Sequence, residues 1–457
     1  MSLKRKRRIS PGRTFLFILL FLITGSTVAC FFLFFEGKKP TVDLSALPEF
    51  LARNDLLVIN AADVGNGLKK IEVYAIQGGE KKPLLTEENP RKTYIGQVGP
   101  AMTSREVEFD ASKLGFLDGE VTIQVTATDF SFRGFFSGNN TTALKTLKLD
   151  TKPPKVRILH SERYIVPGGA GIAIYQNSDP GGQHGVVING HFNPGYPVPD
   201  GRKNTYITYF ALPYDATTIE ESRIIAQDVA GNAVTVPFSV TLKNSPQKKD
   251  RINVGDGFLN KKIPEFEQYY PEMTGSMLEK YLMANRGIRK DNNKKISELC
   301  ANPSEDQLWD GRFIRMSGSS RAGFADHRTY FYEGNPIDQQ VHLGMDIAST
   351  RRADVKAANS GKVVFADYLG IYGNMVLLDH GQGVFSLYSH LSQINVAVDD
   401  MAAKGDVIGL TGASGMAGGD HLHFSMLVNG VFATPKEWWD PHWIEVTITE
   451  PLVDSKF

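Results

Sequence analysis

Gly412-Ala-Ser-Gly-Met-Ala-Gly-Gly-Asp420-His421-Leu422-His423-Phe424 is the stretch from which this chain is best read. In a strand, alternate side chains share a face, so His421 and His423 project together into one groove. One imidazole can hold a metal ion while the other reaches the water beside it. Two further motifs upstream fit the same chemistry: His342-Leu-Gly-Met-Asp346 and Tyr388-Ser-His390-Leu391. A catalytic zinc takes three protein ligands from His and Asp or Glu and keeps a fourth position for water. His342, Asp346 and one of the pair His421/His423 supply that count. With no cysteine nearby, a closed structural site is not expected.

Seven of the ten histidines lie beyond Phe324, so the chemistry is concentrated in the last third of the chain. Gly373, Gly381, Gly383, Gly405, Gly412 and Gly430 separate strand-like runs there. They predict an antiparallel sheet with tight hairpins, whose turns call for positive φ. An extended peptide can lie across a groove floored by such a sheet.

Taken in order, the motifs resemble one family. They are His342-x-Gly-x-Asp346, Ala357-Ala-Asn-Ser-Gly-Lys-Val-Val, Tyr372-Gly-Asn-Met-Val, Asp379-His-Gly, Tyr388-x-His390-Leu, Lys404-Gly-Asp-Val-Ile-Gly, Thr411-Gly-x-Ser-Gly and His421-Leu-His423-Phe. Together they resemble the LytM/lysostaphin-type zinc metallopeptidases, which have the duplicated hybrid motif fold and cut stem or bridge peptides of peptidoglycan. The resemblance implies one zinc ion held by His342, Asp346 and His423, with His390 and His421 as unligated catalytic histidines. Two positions depart from the family's pattern. Ser425 stands where Glu is usual, and Phe324-Ala325 replaces Phe-Gly. Neither is a ligand position, so they bear on groove shape and on support of the ligands. His380 and His442 take no role and are expected to be structural.

The first thirteen residues carry Lys4, Arg5, Lys6, Arg7, Arg8 and Arg13. Without these six, 44 basic residues face 50 acidic ones, so the body is mildly acidic and offers no case for nucleic-acid binding. Phe15 to Phe35 follows with no charged residue, long enough to cross a bilayer. The basic excess before it predicts a cytoplasmic N-terminus and an exported remainder, anchored in the inner membrane by a single pass. A cleaved signal peptide at Thr27-Val28-Ala29 is the competing reading, and Phe31 to Phe35 speaks against it by continuing the apolar run. A lipoprotein site at Cys30 fits poorly, because Thr27 stands where Leu is usual. Cys30 and Cys300 lie too far apart in character to pair, which leaves no disulfide framework.

The expected organisation is mostly β. A basic segment 1–13 precedes a transmembrane helix at 14–36. Immunoglobulin-like β-sandwich modules follow at 41–150 and 153–245, split by Pro153-Pro154. A helical linker or lid spans 250–310, and the antiparallel peptidase domain occupies 311–457. Val125-Thr-Ala-Thr-Asp129 and Ile224-Ile-Ala-Gln-Asp228 are echoing strand-to-turn sequences near the end of each module. The modules are expected to be spacers or to meet an envelope protein partner, and His160, His184 and His191 within them match no metal spacing. Peptidoglycan is the expected substrate, cut at D-Ala to diaminopimelate or at a glycine bridge. A non-catalytic scaffold or activator of other wall hydrolases is the alternative. Such proteins lack part of the ligand set, which this chain retains.

Overall fold

The computed structural model describes residues 11–94, 97–246 and 248–456. Lys4 to Arg8, which carry most of the topology argument, lie outside the described residues. The chain forms two compact units, one running to Pro153 with Val229–Asn232, the other comprising Pro154–Asp228 and Ala233–Phe457.

The first unit begins with the helix Pro11–Phe34. Its stretch Pro11–Phe32 has a mean hydropathy of 2.5 and none of it is buried by protein. At 1.5 Å per residue these 22 residues reach about 33 Å, the thickness of a hydrocarbon core. Thr24 and Thr27 donate their hydroxyls back to the Leu20 and Ile23 carbonyls at 2.8 Å, so neither polar group needs water. Beyond it, a five-stranded sheet packs on a three-stranded one. Alternation decides which side faces in: Val121, Ile123, Val125 and Ala127 are buried against Leu57, Ile59 and Ala61. On the outer side, Thr122 and Thr126 pair with Thr146 and Thr142 at 3.0 Å.

The last long strand of the first unit ends at Leu149, and the first strand of the second begins at Val156, beyond Pro153-Pro154. Two four-stranded sheets follow. Strands Ala170–Asn177 and Thr205–Ala211 are buried almost throughout and show no alternation. Ala173, Tyr175 and Phe210 face the module's own interior, whereas Ile172, Ile174, Ile207 and Tyr209 share a core with Val376, Leu378, Val428 and Trp438. A sheet covered on both faces needs apolar residues at every position. The segment 153–245 is therefore packed into the same core as the C-terminal sheet.

That sheet has eight strands, with neighbours antiparallel. Its central strands are Met345–Ala348, Leu422–Val428, Val384–Leu391 and Asn374–Asp379. The expected turn glycines Gly373, Gly381, Gly383, Gly405 and Gly430 all have positive φ. Gly412 does not. It bridges His421, and a Cβ there would meet the Ser392 backbone nitrogen at 2.5 Å. Close approach of two backbones, not handedness, is the reason for glycine at that position.

Between the second module and the sheet, Lys249–Asn253 pairs in parallel with His327–Tyr332. Helices Asp256–Tyr269, Met277–Met283 and Arg289–Leu299 follow. Ser276 and Glu279 close a capping box at the start of the second. Phe266, Ile296 and Cys300 are buried with Leu377, Phe385, Leu387 and Leu427 of the sheet.

Candidate metal centre

Asp346 and His423 are direct partners across the antiparallel pair Met345–Ala348 and Leu422–Val428. Side chains so placed share one face with their Cβ atoms about 5 Å apart. His342 comes from the turn before Met345. Gly344 lies between them because a Cβ there would stand 2.5 Å from His423 Nε2 and 2.6 Å from Ser425 Oγ. Three atoms converge as a result. His342 Nε2 lies 2.9 Å from Asp346 Oδ1 and 2.8 Å from His423 Nδ1, and His423 Nδ1 lies 2.9 Å from the same carboxylate oxygen. All three residues are buried.

The outer atoms of these side chains settle where the protons are. His342 Nδ1 faces the Gly323 carbonyl at 2.8 Å, and a carbonyl only accepts, so this nitrogen carries the hydrogen and Nε2 a lone pair. Ser425 donates its hydroxyl to the Leu343 carbonyl at 2.8 Å, so at 3.1 Å it accepts from His423 Nε2. His423 Nδ1 is thus also a lone pair. Three acceptors therefore meet with no hydrogen between them. That arrangement repels itself unless a cation sits among them, and two imidazoles with one carboxylate suit zinc. Arg328 Nη2 holds the other oxygen, Asp346 Oδ2, at 3.1 Å.

His390 and His421 line the same pocket, with ring centroids 4.9 Å apart. Each commits Nδ1–H to a backbone carbonyl, His390 to Ser414 at 2.9 Å and His421 to Gly419 at 2.7 Å. Nε2 is left as the working nitrogen of both. His421 Nε2 stands 3.6 Å from Asp346 Oδ1. Burial, reinforced by His421 and His423, holds His390 well below the usual imidazole range, so it is neutral. Burial also lowers His423, to about 4. At His421 burial is outweighed by Asp346, which raises its affinity for a proton.

All five side chains singled out in the sequence thus come together. His380 stays apart, buried between the Ser360 carbonyl and Ser386 Oγ at 2.6 Å each. Sequence reasoning did not assign Arg328, the carbonyls of Gly323 and Ser414, or the pocket's far wall. Backbone carbonyls leave no trace in residue identity. The wall is formed by Phe258, Tyr281 and Arg289 of the helical segment, opposite Tyr372 and Met416, around a cavity of about 380 Å³.

Comparison with known proteins adds three findings. Residues 340–435 match Peptidase family M23. The DD-carboxypeptidase/endopeptidase Mpg of Neisseria meningitidis serogroup B is 36% identical over 106 residues, which is 23% of this chain and 24% of that one. The murein hydrolase activator EnvC of Escherichia coli is 36% identical over 95 residues, 21% of this chain and 23% of that one. The chain thus spans about a quarter of the length of these curated relatives. Among solved structures, the catalytic domain of the antimicrobial peptidase lysostaphin from Staphylococcus simulans is 30% identical, covers 27% of this chain and 92% of that one, and has a TM-score of 0.24.

Proposed function

We infer, from a chain whose residues 340–435 form a domain of peptidase family M23, the LytM/lysostaphin family, that this protein is a membrane-anchored zinc endopeptidase of peptidoglycan. The observation that carries the reading is the triangle of His342 Nε2, Asp346 Oδ1 and His423 Nδ1, which lie 2.8 to 2.9 Å from one another. These three residues would hold zinc. A zinc ion held there would supply Lewis acidity and would lower the pKa of water from ~16 towards ~7.

The remaining work falls to groups of this chain. His390, neutral and with Nε2 free, can take a proton from the attacking water. His421, with Nδ1 held by the Gly419 carbonyl, can when protonated donate from Nε2 to the carbonyl oxygen or the leaving amine. Each such contribution is typically ~10² to 10⁴ in rate. Arg328 holds Asp346 Oδ2, so Oδ1 stays turned towards His342 and His423. Tyr372, buried with its ring centroid 5.7 Å from that of His423, excludes water behind the ligand.

The apolar helix Pro11–Phe32, with the Lys/Arg excess before it, supports a single-pass anchor with the N-terminus cytoplasmic and the peptidase outside the inner membrane. The two β modules are proposed as immunoglobulin-like spacers. D-Ala to diaminopimelate is the proposed bond. The similarity to an activator of murein hydrolases favours a second reading, a catalytically silent scaffold. Purified sacculi, digested by the full chain and analysed by mass spectrometry, decide between them. His342→Ala and Asp346→Ala should lose zinc and muropeptide release together, whereas His390→Ala and His421→Ala should keep zinc and lose turnover. A parent chain loaded with zinc that releases no muropeptides would overturn the enzyme reading.

A further inference from the structure

The loop Ser131-Phe-Arg-Gly-Phe-Phe-Ser137 of the first β module presents apolar side chains that no core explains. Phe135 is 99% exposed and Phe136 65%. Both adopt positive φ, 55° and 71°, directly after Gly134 at 61°. Bulky residues avoid this region, and consecutive left-handed residues are costly, so such a turn persists where something is gained from it.

The loop is fastened to the end of the apolar helix. Phe132 stacks on Phe34 with centroids 5.1 Å apart, and its backbone N–H donates to the Phe34 carbonyl at 2.8 Å. Ser131 Oγ donates to the Glu36 carbonyl at 2.9 Å, and Arg133 Nε to that of Phe35 at 3.3 Å. Neighbouring loops of the same end add to the patch. Asn66 N–H donates to Glu36 Oε2 at 2.8 Å, in a loop whose Val64 is 87% exposed. Arg91 lies over the rings of Phe132 and Tyr94, at 5.2 and 5.5 Å from their centroids, and Tyr94 is 73% exposed. Val64, Tyr94, Phe135 and Phe136 thus surround the point where the helix meets the module.

We propose that this end of the first β module is a membrane-seating surface, with Phe135 and Phe136 inserted at the interface of the bilayer that the helix crosses. The occupant follows from continuity. The apolar span ends at Phe32, so Phe34 and Phe35 stand at headgroup level, where aromatic rings are favoured. Phe132 is stacked on one of those rings and places the exposed pair at the same depth. Arg91 and Arg133 supply cations for lipid phosphates at that level. A short loop carrying exposed aromatics beside basic residues is the composition of an interfacial contact. The module would thereby be held upright at the membrane rather than swinging on its anchor. This inference rests on the reading of the helix as a retained anchor.

The test uses the full chain reconstituted in vesicles of phosphatidylethanolamine and phosphatidylglycerol, with Phe135→Trp as a probe. The emission added over the parent, whose tryptophans are Trp309, Trp438, Trp439 and Trp443, should lose about half its intensity or more in brominated lipid and resist acrylamide. A chain that floats with the vesicles while the added emission ignores bromolipid and yields to acrylamide overturns the seating surface and leaves the anchor standing. That outcome would also be expected if the patch met a protein partner. A chain that fails to float overturns the anchor and this inference together.

Discussion

Ser425 Oγ accepts from His423 Nε2 at 3.1 Å while donating to the Leu343 carbonyl at 2.8 Å. Glu is usual at this position in the LytM/lysostaphin family, and here a serine holds the proton of the outer nitrogen. Support of this kind typically tunes metal affinity 10- to 100-fold. Ser425→Ala should therefore weaken zinc binding by about that factor, read by competition with a chelator of known affinity. It should leave the fold in place, because the loss is confined to two hydrogen bonds, each contributing about 0.5–1.5 kcal/mol. Unchanged zinc affinity would show that packing alone orients His423.

Helix Asp256–Tyr269 reaches into the loop that positions His390. Buried Lys262 donates Nζ to the Ala413 carbonyl, and Glu265 Oε1 accepts from Gly415 N at 2.5 Å. Ser414 between them accepts from His390 Nδ1 and donates Oγ to the Leu391 carbonyl at 2.8 Å. Lys262→Met should let this loop drift. A displacement near 1 Å at a catalytic group can cost ~10²-fold, so kcat is expected to fall ~10- to 100-fold. KM and zinc content should hold, since no ligand is touched. Glu265→Gln, which keeps an acceptor for Gly415 N, should retain more activity than Glu265→Ala. Equal losses in these two variants would count against the clamp.

His380 makes stability depend on pH. Burial holds its ring neutral in the folded state down to about 4, whereas an unfolded histidine titrates near 6.5. Between those values the unfolded chain binds more protons, so stability falls as pH falls from about 6.5 towards about 4. The full loss is about 3 kcal/mol. Urea midpoints at pH 7 and pH 5 should differ less in His380→Asn than in the parent. Parallel pH dependence in the two chains would show that the burden lies elsewhere.

The cluster of His342, Asp346 and His423 was legible in the sequence because its members come from short motifs whose spacing survives folding. His421 and His423 share a face in any extended strand, and Asp346 needs only the neighbouring strand in register. Arg328 carries no signal of its role in the sequence, since its guanidinium meets Asp346 from a strand of a different sheet. The double burial of Ala170–Asn177 was harder to read. A run of small and branched apolar residues fits a strand covered on one face or on two, and only the Trp438 side of the core tells them apart. The aromatic loop Phe132 to Phe136 was visible as residues, but its exposure is decided by left-handed backbone that sequence does not announce.

The helices from Asp256 to Leu299 were expected to be a linker or a lid, and their packing argues for a wall that the domain needs. Phe266, Ile296 and Cys300 cover Leu377, Phe385, Leu387 and Leu427, all fully buried. Asn292 Oδ1 accepts from Ile371 N at 2.9 Å, and Asn293 Oδ1 from Tyr372 Oη at 2.8 Å, tying the turn beside the metal centre to the third helix. Phe266→Ala alone should cost about 3–5 kcal/mol. Replacing residues 255–299 with a flexible linker would strip one face of the sheet, and the product should be insoluble or fail to retain zinc. Phe258→Ala, which only opens the pocket wall, should fold and bind zinc normally while changing KM for crosslinked muropeptides. Both are measurable with the same muropeptide assay and zinc titration. An excised chain that is soluble, loaded and faster than the parent would return these helices to the role of a removable cover, and the clamp on His390 would fall with the wall.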